Sequence, residues 1–204
     1  MPENRTPLSE TSVARDPIAQ FAEWYERACA VVKPLPHAVA LATATRGGRP
    51  SLRMVLLKGF DARGFVFFTN YRSHKARELE KNARGSLLFY WGSLGRQVRI
   101  DGRIVKVTRR ESDEYFATRP RGSQLAAWAS PQSGVLADRA ALEQRFAVAE
   151  AKYAGRVPRP PYWGGYRLIP EAIEFWQGRE DRLHDRLLYR RARNGRWLIE
   201  RLAP

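Results

Sequence analysis

The sequence predicts a mainly β domain with flanking helices (α+β), in which antiparallel strands form a closed or nearly closed barrel. Short apolar runs of strand type begin at Ala38 and alternate with turn signals such as Arg46-Gly47-Gly48 and Asn194-Gly195. Strands that follow one another through tight turns pair antiparallel, and so many of them favour barrel closure. Other stretches carry apolar residues at helical spacing, which is why we expect helices beside the barrel.

The first predicted element is a helix that begins at Asp16-Pro17, because Asp caps helices and Pro suits the first helical position. Apolar residues then recur at helical spacing as far as Val32. At 204 residues, 44% of them hydrophobic, the chain suits one folded domain. We therefore expect a flexible N-terminal arm over residues 1–15 and a single domain over residues 16–204.

The predicted strands are, in order, AVALATAT, SLRMVLLKGF, FVFFT, SLLFYW, RQVRIDGRIVKVT, GGYRLIPEAIEFWQG, RLLYRRA and RWLIERLA. The fifth run is either two strands or one strand bent at Asp101-Gly102. Ser73 is placed to cap a short helix, HKARELEKN, between the third and fourth runs. Two further helices are expected, around Glu111–Thr118 and over Asp138–Tyr153, followed by a proline-rich connector at 156–161.

The charge balance points to anionic partners. Lys and Arg number 36 against 21 Asp and Glu, a formal net charge of +15. Nucleic acid, a membrane surface or phosphorylated small molecules would each suit such a chain. The basic residues are spread through strands and turns rather than gathered in a tail or block, although a basic groove remains open at this point.

Several classes of protein are disfavoured by what the sequence lacks. It has no apolar run of about 18 residues, so we expect no transmembrane helix, and its polar N-terminus does not resemble a secretory signal. Cys29 is the only cysteine, so a disulfide within the chain or a Cys-based metal cluster cannot form. Because the sequence also has only three His residues, we expect no metal site. These features favour a reducing, cytoplasmic setting.

Cations and hydroxyls at strand ends are the remaining candidates for chemistry. In the run Arg53-Met54-Val55-Leu56-Leu57-Lys58, alternation places Arg53 and Lys58 on opposite faces, where they could serve two different anions or lie as solvated strand ends. Between Thr69 and Lys75 a strand end precedes a helix start. Ser73, Lys75 and the helix N-terminus would suit a phosphate, or Ser73 is an ordinary cap.

Two later segments are also candidates. Tyr115 and Arg119 share a helix face and Ser123 follows in the turn, so they form either a second anion pocket or a capped helix end with an exposed Arg. Arg182 and His184 would share a strand face with Arg186, where three cationic or titratable groups repel unless an anion or acid lies among them. A single His is often structural, so a functional role for His184 stays open beside that alternative.

Together these segments resemble the pyridoxine/pyridoxamine 5′-phosphate oxidase family. The residues that carry the resemblance are RMVLLK, the FFTN…S.K segment, RQV, YF..RPRGSQ, SPQS, WGG and FWQG…RLHDR. They occur in that family's order and spacing, from about Ala38 to the C-terminal RLAP. RLHDR with RMVLLK and RPRGSQ is a specific combination. Phenazine-pathway oxidases of the same fold are similar near the C-terminus.

The resemblance implies an FMN-binding split β-barrel that works as a homodimer, with FMN at the subunit interface. It implies FMN contacts at Arg53, Met54, Val55, Leu56, Leu57, Lys58, Phe68, Thr69, His74, Lys75, Gln97, Gln132, Ser133, Trp176 and Arg186. Arg53 and Lys75 would face the FMN phosphate. Substrate contacts are implied at Lys58, Tyr115, Arg119, Ser123, Arg182 and His184, and the last two would be catalytic at the pyridine ring.

The chain departs from the family pattern at three places. His74 stands where the family usually has Arg before the FMN lysine, and Phe68 stands where it often has Tyr. The first 15 residues lack the REY-like segment of many members, so closure of the arm over substrate is not expected from them.

The activity implied is oxidation of pyridoxamine or pyridoxine 5′-phosphate to pyridoxal 5′-phosphate, with dioxygen as acceptor and hydrogen peroxide as product. One alternative is an oxidase of the same fold that acts on another anionic aromatic substrate. Another is a flavin-binding module without turnover. Tyr115, Arg119 and Ser123 favour an oxidase, because FMN alone does not need a second phosphate pocket. A nucleic-acid binder is disfavoured, since anion pockets account for the charge and no recognition helix is evident.

Overall fold

The antiparallel barrel predicted from the sequence is confirmed by the computed structural model, which describes residues 6–204. The helices of this part are α1 (Pro17–Val31), α2 (His74–Lys81), α3 (Arg109–Thr118), α4 (Arg121–Ala129) and α5 (Arg139–Lys152). The strands are β1 (Ala38–Ala44), β2 (Pro50–Leu56), β3 (Gly59–Asp61), β4 (Gly64–Asn70), β5 (Arg84–Trp91), β6 (Arg96–Lys106), β7 (Trp163–Gln177), β8 (Asp185–Arg191) and β9 (Trp197–Arg201).

The sheet divides at the long strand β7. Its order is β2-β1-β5-β6-β7-β4-β3, and β8 and β9 branch from β7. Residues 163–168 of β7 pair with β4, residues 172–177 pair with β8, and β6 follows the opposite edge of β7 over most of its length. Curvature brings the far end of the sheet back, so that the Lys58 amide beyond β2 donates to the Val66 carbonyl of β4 at 2.8 Å. This contact forms a seam between the end of β2 and β4.

Alternation along the strands separates a core face from an outer face. Leu41, Phe89 and Phe175 lie on the core face, fully buried beneath α1 with most of the large apolar side chains. The outer face of β2 and β5 instead exposes apolar side chains: Leu52 is 70% and Tyr90 is 66% exposed. An exposed apolar sheet face of this kind is typical of a surface that another molecule covers.

The run RQVRIDGRIVKVT is one strand, β6, with a register shift at Asp101-Gly102, which confirms the second of its two predicted alternatives. Local structure differs from the prediction at two places. Helix α4 was not predicted, because Pro120 and Gly122 resemble a turn. It buries Leu125 in a second apolar cluster, with Phe116, Ala149 and Trp163, and it packs against α5. These tertiary contacts stabilise the helix where the side-chain cap is missing. Arg182 and His184 precede β8 and do not lie on a strand with Arg186.

Residues 6–15, which belong to the predicted N-terminal arm, contact the C-terminal strands; residues 1–5 of that arm lie outside the described residues. The Leu8 amide donates to Asp185 Oδ2 at 3.1 Å, and Gln177 Nε2 donates to the Thr6 carbonyl at 2.9 Å. Tyr189 Oη donates to the Ala14 carbonyl at 2.8 Å. This segment therefore joins the two ends of the loop between β7 and β8.

Candidate active site

A cavity of about 600 Å³ lies at the seam of the barrel, within the usual volume range of small-molecule sites. It is lined by the end of β2, the facing part of β4, the start of α2, and the junction of α3 and α4. The predicted site residues that line it are Met54, Val55, Leu56, Lys58, Phe68, Thr69, Lys75, Tyr115, Arg119, Ser123 and Gln132. The structure thus brings residues of the candidate segments 53–58, 69–75 and 115–123 into one pocket.

Lys75 forms a cationic corner of this pocket. The residue is 9% exposed, and its ammonium donates to Thr69 Oγ1 at 3.2 Å and to Gln132 Oε1 at 3.1 Å. Within residues 6–204 no carboxylate pairs with it. Burial, and then the charge of Arg53, lower the pKa of Lys75 to about 8. A buried ammonium held only by neutral oxygens is suited to receive an anion.

Arg53 lies beside this corner in a network around the buried carboxylate of Glu78. Its Nη2 is 3.3 Å from Glu78 Oε2 and donates to Ser51 Oγ at 2.9 Å. Burial alone would raise the pKa of Glu78, but hydrogen bonds from Ser51 and Thr43 hold it below its ordinary value. His74 Nε2 lies 3.7 Å from Glu78 Oε1, so this predicted FMN residue faces the carboxylate at the edge of the network.

Arg119 forms a second cationic corner. Its guanidinium carbon lies 4.6 Å from the centroid of the Trp163 ring, and its buried Nη1 has no hydrogen-bond partner. Burial lowers the pKa of Arg119. Tyr115 and Phe68 stack nearby with centroids 4.0 Å apart, and Ser123 lies in the first turn of α4. A buried guanidinium N–H without an acceptor is costly unless a ligand supplies one.

Three predicted FMN residues lie outside the pocket, on the outer face of the sheet. Gln97 pairs in register with Trp176, and Trp176 with Arg186, so the three stand side by side across β6, β7 and β8. Arg186 is already engaged, because its Nε donates to Glu174 Oε1 at 2.7 Å. This face is continuous with the exposed apolar side chains of β2 and β5.

The two predicted catalytic residues lie on the loop between β7 and β8, apart from the residues that line the pocket. Arg182 is exposed and has a φ of 61°, and its neighbour Asp181 has a φ of 53°. Left-handed backbone at two successive residues other than glycine is strained. His184 packs on Trp176, with ring centroids 4.7 Å apart, and its Nδ1 accepts from the Arg179 amide at 3.1 Å. A neutral His184 therefore carries its proton on Nε2.

Two other predicted FMN residues have distinct surroundings. Leu57 is buried in the main core and does not line the pocket. Ser133 lies in an exposed turn with a φ of 70°, next to Gln132, whose side chain reaches Thr69 and Lys75.

Two residues at the site, Trp163 and Glu78, are not predicted as site residues from the sequence. The motif WGG around Trp163 was the available signal, but its role depends on α3 packing against β7. Glu78 is one of several charged residues in a short helix, and nothing in the sequence distinguishes the buried one.

The fold and its similarity to solved structures define the class of protein. The fold is a split β-barrel of the FMN-binding type. It matches a Nostoc punctiforme protein described as a pyridoxamine 5′-phosphate oxidase-related, FMN binding protein, with a TM-score of 0.72, 18% identity, and 98% and 100% of the two chains covered.

Sequence similarity identifies the family to which the chain belongs. A family model described as pyridoxamine 5′-phosphate oxidase matches residues 26–153, and one described as the pyridoxine 5′-phosphate oxidase C-terminal dimerisation region matches residues 163–204. A pyridoxine/pyridoxamine 5′-phosphate oxidase of Rubrobacter xylanophilus is 59% identical over 98% of this chain and 92% of its own length. One of Paraburkholderia phymatum is 56% identical over 97% and 93%. The chain belongs to the pyridoxine/pyridoxamine 5′-phosphate oxidase family, as its motifs predict.

A solved structure is similar over the whole chain. It is PhzG from Burkholderia lata 383 in complex with tetrahydrophenazine-1-carboxylic acid, with a TM-score of 0.92, 37% identity and 98% of each chain covered. Among the described residues, no helix has the length and apolar character needed to span a membrane.

Proposed function

We propose that this protein oxidises pyridoxamine 5′-phosphate or pyridoxine 5′-phosphate to pyridoxal 5′-phosphate, with FMN as cofactor and dioxygen as electron acceptor. The observation that carries the proposal is a pair of cations in one pocket, the buried Lys75 and the half-buried Arg119. Within residues 6–204 neither has a carboxylate partner. Two separate cationic corners suit two phosphate groups, one of a cofactor and one of a substrate.

The Lys75 corner fits the phosphate of FMN. Its ammonium donates to neutral oxygens only, and Arg53 lies close enough to lower its pKa. A dianionic phosphate there would compensate both charges and raise that pKa again. The exposed side chains of Met54 and Leu56, with the half-buried Phe68, would provide an apolar surface for the flavin ring in this pocket.

The Arg119 corner fits the phosphate of the substrate. Arg119 has an unused buried donor, and Lys58, Tyr115 and Ser123, which line the same pocket, add a charge and two hydroxyls. Arg binds phosphate with two parallel donors, whereas Lys acts as a point charge. A flavin-binding module without turnover would have no use for this second corner.

FMN held at the Lys75 corner would supply the redox chemistry, which is hydride transfer from the substrate carbon attached to the pyridine ring followed by reduction of dioxygen. The residues of this chain would hold the two phosphates so that the reacting groups face each other, which is a proximity effect. With pyridoxamine 5′-phosphate, dioxygen and water, the products are pyridoxal 5′-phosphate, ammonia and hydrogen peroxide. Arg182 and His184 would lie beside the pyridine ring and orient it, and His184 would donate a hydrogen bond from Nε2.

We further propose that a second copy of the chain completes the site. Arg182, His184, Trp176 and Arg186 lie outside the pocket of their own chain, and the outer face that bears Trp176 and Arg186 continues into the exposed apolar side chains Leu52 and Tyr90. The match of residues 163–204 to a dimerisation region supports this arrangement. A homodimer with FMN at the interface would bring these residues to the partner's pocket.

The similarity to PhzG favours one second candidate. That protein binds a carboxylated aromatic compound, and the two chains are alike over 98% of their lengths. An anionic aromatic carboxylate would use the Arg119 corner with a single negative charge. The presence of both Lys58 and Arg119 in one pocket favours the more highly charged phosphate.

The decisive experiment supplies pyridoxamine 5′-phosphate in air to the FMN-loaded protein and measures pyridoxal 5′-phosphate and hydrogen peroxide. We expect equal amounts of the two, and FMN released on denaturation at one molecule per chain. A protein that binds FMN and turns over tetrahydrophenazine-1-carboxylic acid but neither B6 phosphate would contradict the proposal. One that binds no FMN would contradict its cofactor as well.

A further inference from the structure

Trp163 has a contact that the proposed chemistry does not yet explain. The side chain is 6% exposed and its ring is nearly parallel to those of Phe68 and Tyr115, at interplanar angles of 12° and 10°. The Arg119 guanidinium lies over the same ring at 4.6 Å. Trp163 therefore contacts both sides of the proposed phosphate corner, the Tyr115 stack and the Arg119 cation.

The two glycines that follow Trp163 fix α3 against β7. A side chain at Gly164 would collide with Tyr71 and Ser112, and one at Gly165 would collide with Val107 and Phe68. Because neither glycine has a side chain, Ser112 of α3 can reach β7, where its hydroxyl accepts from the Gly165 amide at 3.2 Å. Tyr115 lies on α3 one turn beyond Ser112, and Arg119 caps its end.

The stacking contact suits a cation that must stay available to a ligand. An indole ring attracts a guanidinium through its face and leaves the in-plane N–H donors free. A carboxylate in the same place would consume those donors and cancel the charge. In the described part of the chain no carboxylate pairs with Arg119, and its Nη1 is buried without an acceptor.

We propose that Trp163 is a positioning residue for the substrate-phosphate site, which holds the Arg119 guanidinium charged, oriented and free of a competing acid. This proposal rests on the proposed function, because it assumes that Arg119 binds a substrate phosphate. Trp163 itself need not touch the substrate. Its effect is selective for phosphorylated ligands and independent of the FMN phosphate at the Lys75 corner.

The test uses Trp163→Leu, the conservative Trp163→Phe, Arg119→Ala and the double variant Trp163→Leu/Arg119→Ala, all in the FMN-loaded protein. Trp128→Phe is the matched control, since Trp128 belongs to the same apolar cluster but packs on Tyr153 and Tyr162. Binding of pyridoxal 5′-phosphate is measured by titration calorimetry without turnover, and KM and kcat are measured with pyridoxamine 5′-phosphate. FMN retention is recorded for each variant.

We expect Trp163→Leu to weaken pyridoxal 5′-phosphate binding and raise KM by about tenfold, the range of a desolvated cation–π contact. Trp163→Phe should recover part of this loss, and kcat and FMN retention should change less than twofold. In the Arg119→Ala background, Trp163→Leu should add almost nothing, because the two act through one interaction. Fully additive losses, or a Trp128→Phe variant that weakens binding equally, would overturn the proposal. If Trp163→Leu does not fold, Trp163→Phe and the control decide by the same criteria.

Failure of the proposed function gives a different result. In that case the parental protein neither turns over pyridoxamine 5′-phosphate nor binds pyridoxal 5′-phosphate. If the parental protein binds and turns over these compounds while the Trp163 variants match it, only the positioning role is wrong.

Discussion

Replacement of Lys75 by Met should stabilise the ligand-free protein and weaken FMN binding. The ammonium is buried, and its pKa of about 8 lies below the ordinary value of 10.5 because of burial and then Arg53. A shift of this size corresponds to about 3 kcal/mol at full burial, and residual hydration reduces it to about 2 kcal/mol. Thr69 Oγ1 still donates to Gln132 Oε1 at 2.9 Å after the substitution, so few polar atoms lose their partners.

The pH dependence follows from the same shift. Between pH 8 and 10.5 the unfolded chain keeps the Lys75 proton while the folded, ligand-free protein has lost it. The stability of the parental protein therefore rises relative to Lys75→Met across that window, and the variant's advantage of about 2 kcal/mol is fully present only below pH 8. FMN binding has the opposite dependence, since the phosphate requires the charged ammonium. The parental Kd should rise about tenfold from pH 7 to pH 9.

Urea unfolding of the ligand-free protein and fluorescence titration with FMN measure the two effects. Lys75→Met should bind FMN about 10- to 100-fold more weakly at pH 7, and its Kd should vary little between pH 7 and 9. The control is Lys81→Met, the same exchange at an exposed position in the last turn of the same helix. A destabilised Lys75→Met protein that binds FMN normally would show that Lys75 is a structural cation and refute this reasoning.

Three further predictions address the other parts of the site. Arg119→Ala should raise KM for pyridoxamine 5′-phosphate about 10- to 100-fold, by loss of a charge-assisted bond, with FMN content unchanged; an equal loss of FMN would assign this corner to the cofactor. Leu52→Glu, on the exposed outer face of β2, should yield monomers in sedimentation velocity that retain FMN poorly, whereas monomers that keep FMN on dilution would contradict a shared site. His184→Gln should keep more activity than His184→Asn, because the Gln amide can donate near the position of Nε2. The Asn oxygen can replace only Nδ1, as the acceptor for the Arg179 amide, so the reverse order would mean that His184 mainly anchors the loop.

Much of the fold follows from local pattern. Asp16 accepts from the Ile18 amide and Pro17 opens α1, as the sequence predicts, and the strands fall close to their predicted bounds. Helix α4 could not be predicted in this way. Its start lacks a side-chain cap, and its stability comes from burial of Leu125 beside α5, which no local pattern reports.

The pocket is partly predictable for the same reason. Alternation correctly separates Arg53 from Lys58, and the helix pattern correctly places Tyr115 near Arg119. The strand assumed for Arg182 and His184 is wrong, because the Arg179 amide bond to His184 and the left-handed backbone at Asp181 form a loop there. Those contacts depend on the salt bridge of Arg179 to the buried Asp185, at 2.7 Å, which a strand pattern does not show.

The loop that bears Arg182 and His184 is anchored within its own chain. Asp185 accepts from Arg179, from Arg201 and from the Leu8 amide, and these bonds keep its pKa low although burial alone would raise it. The loop geometry is thus set before any partner arrives. If the partner supplies this loop to the pocket, assembly joins two preformed parts and requires little reordering. Dilution should then lower activity and FMN occupancy together by mass action, while the turnover of each remaining dimer stays constant.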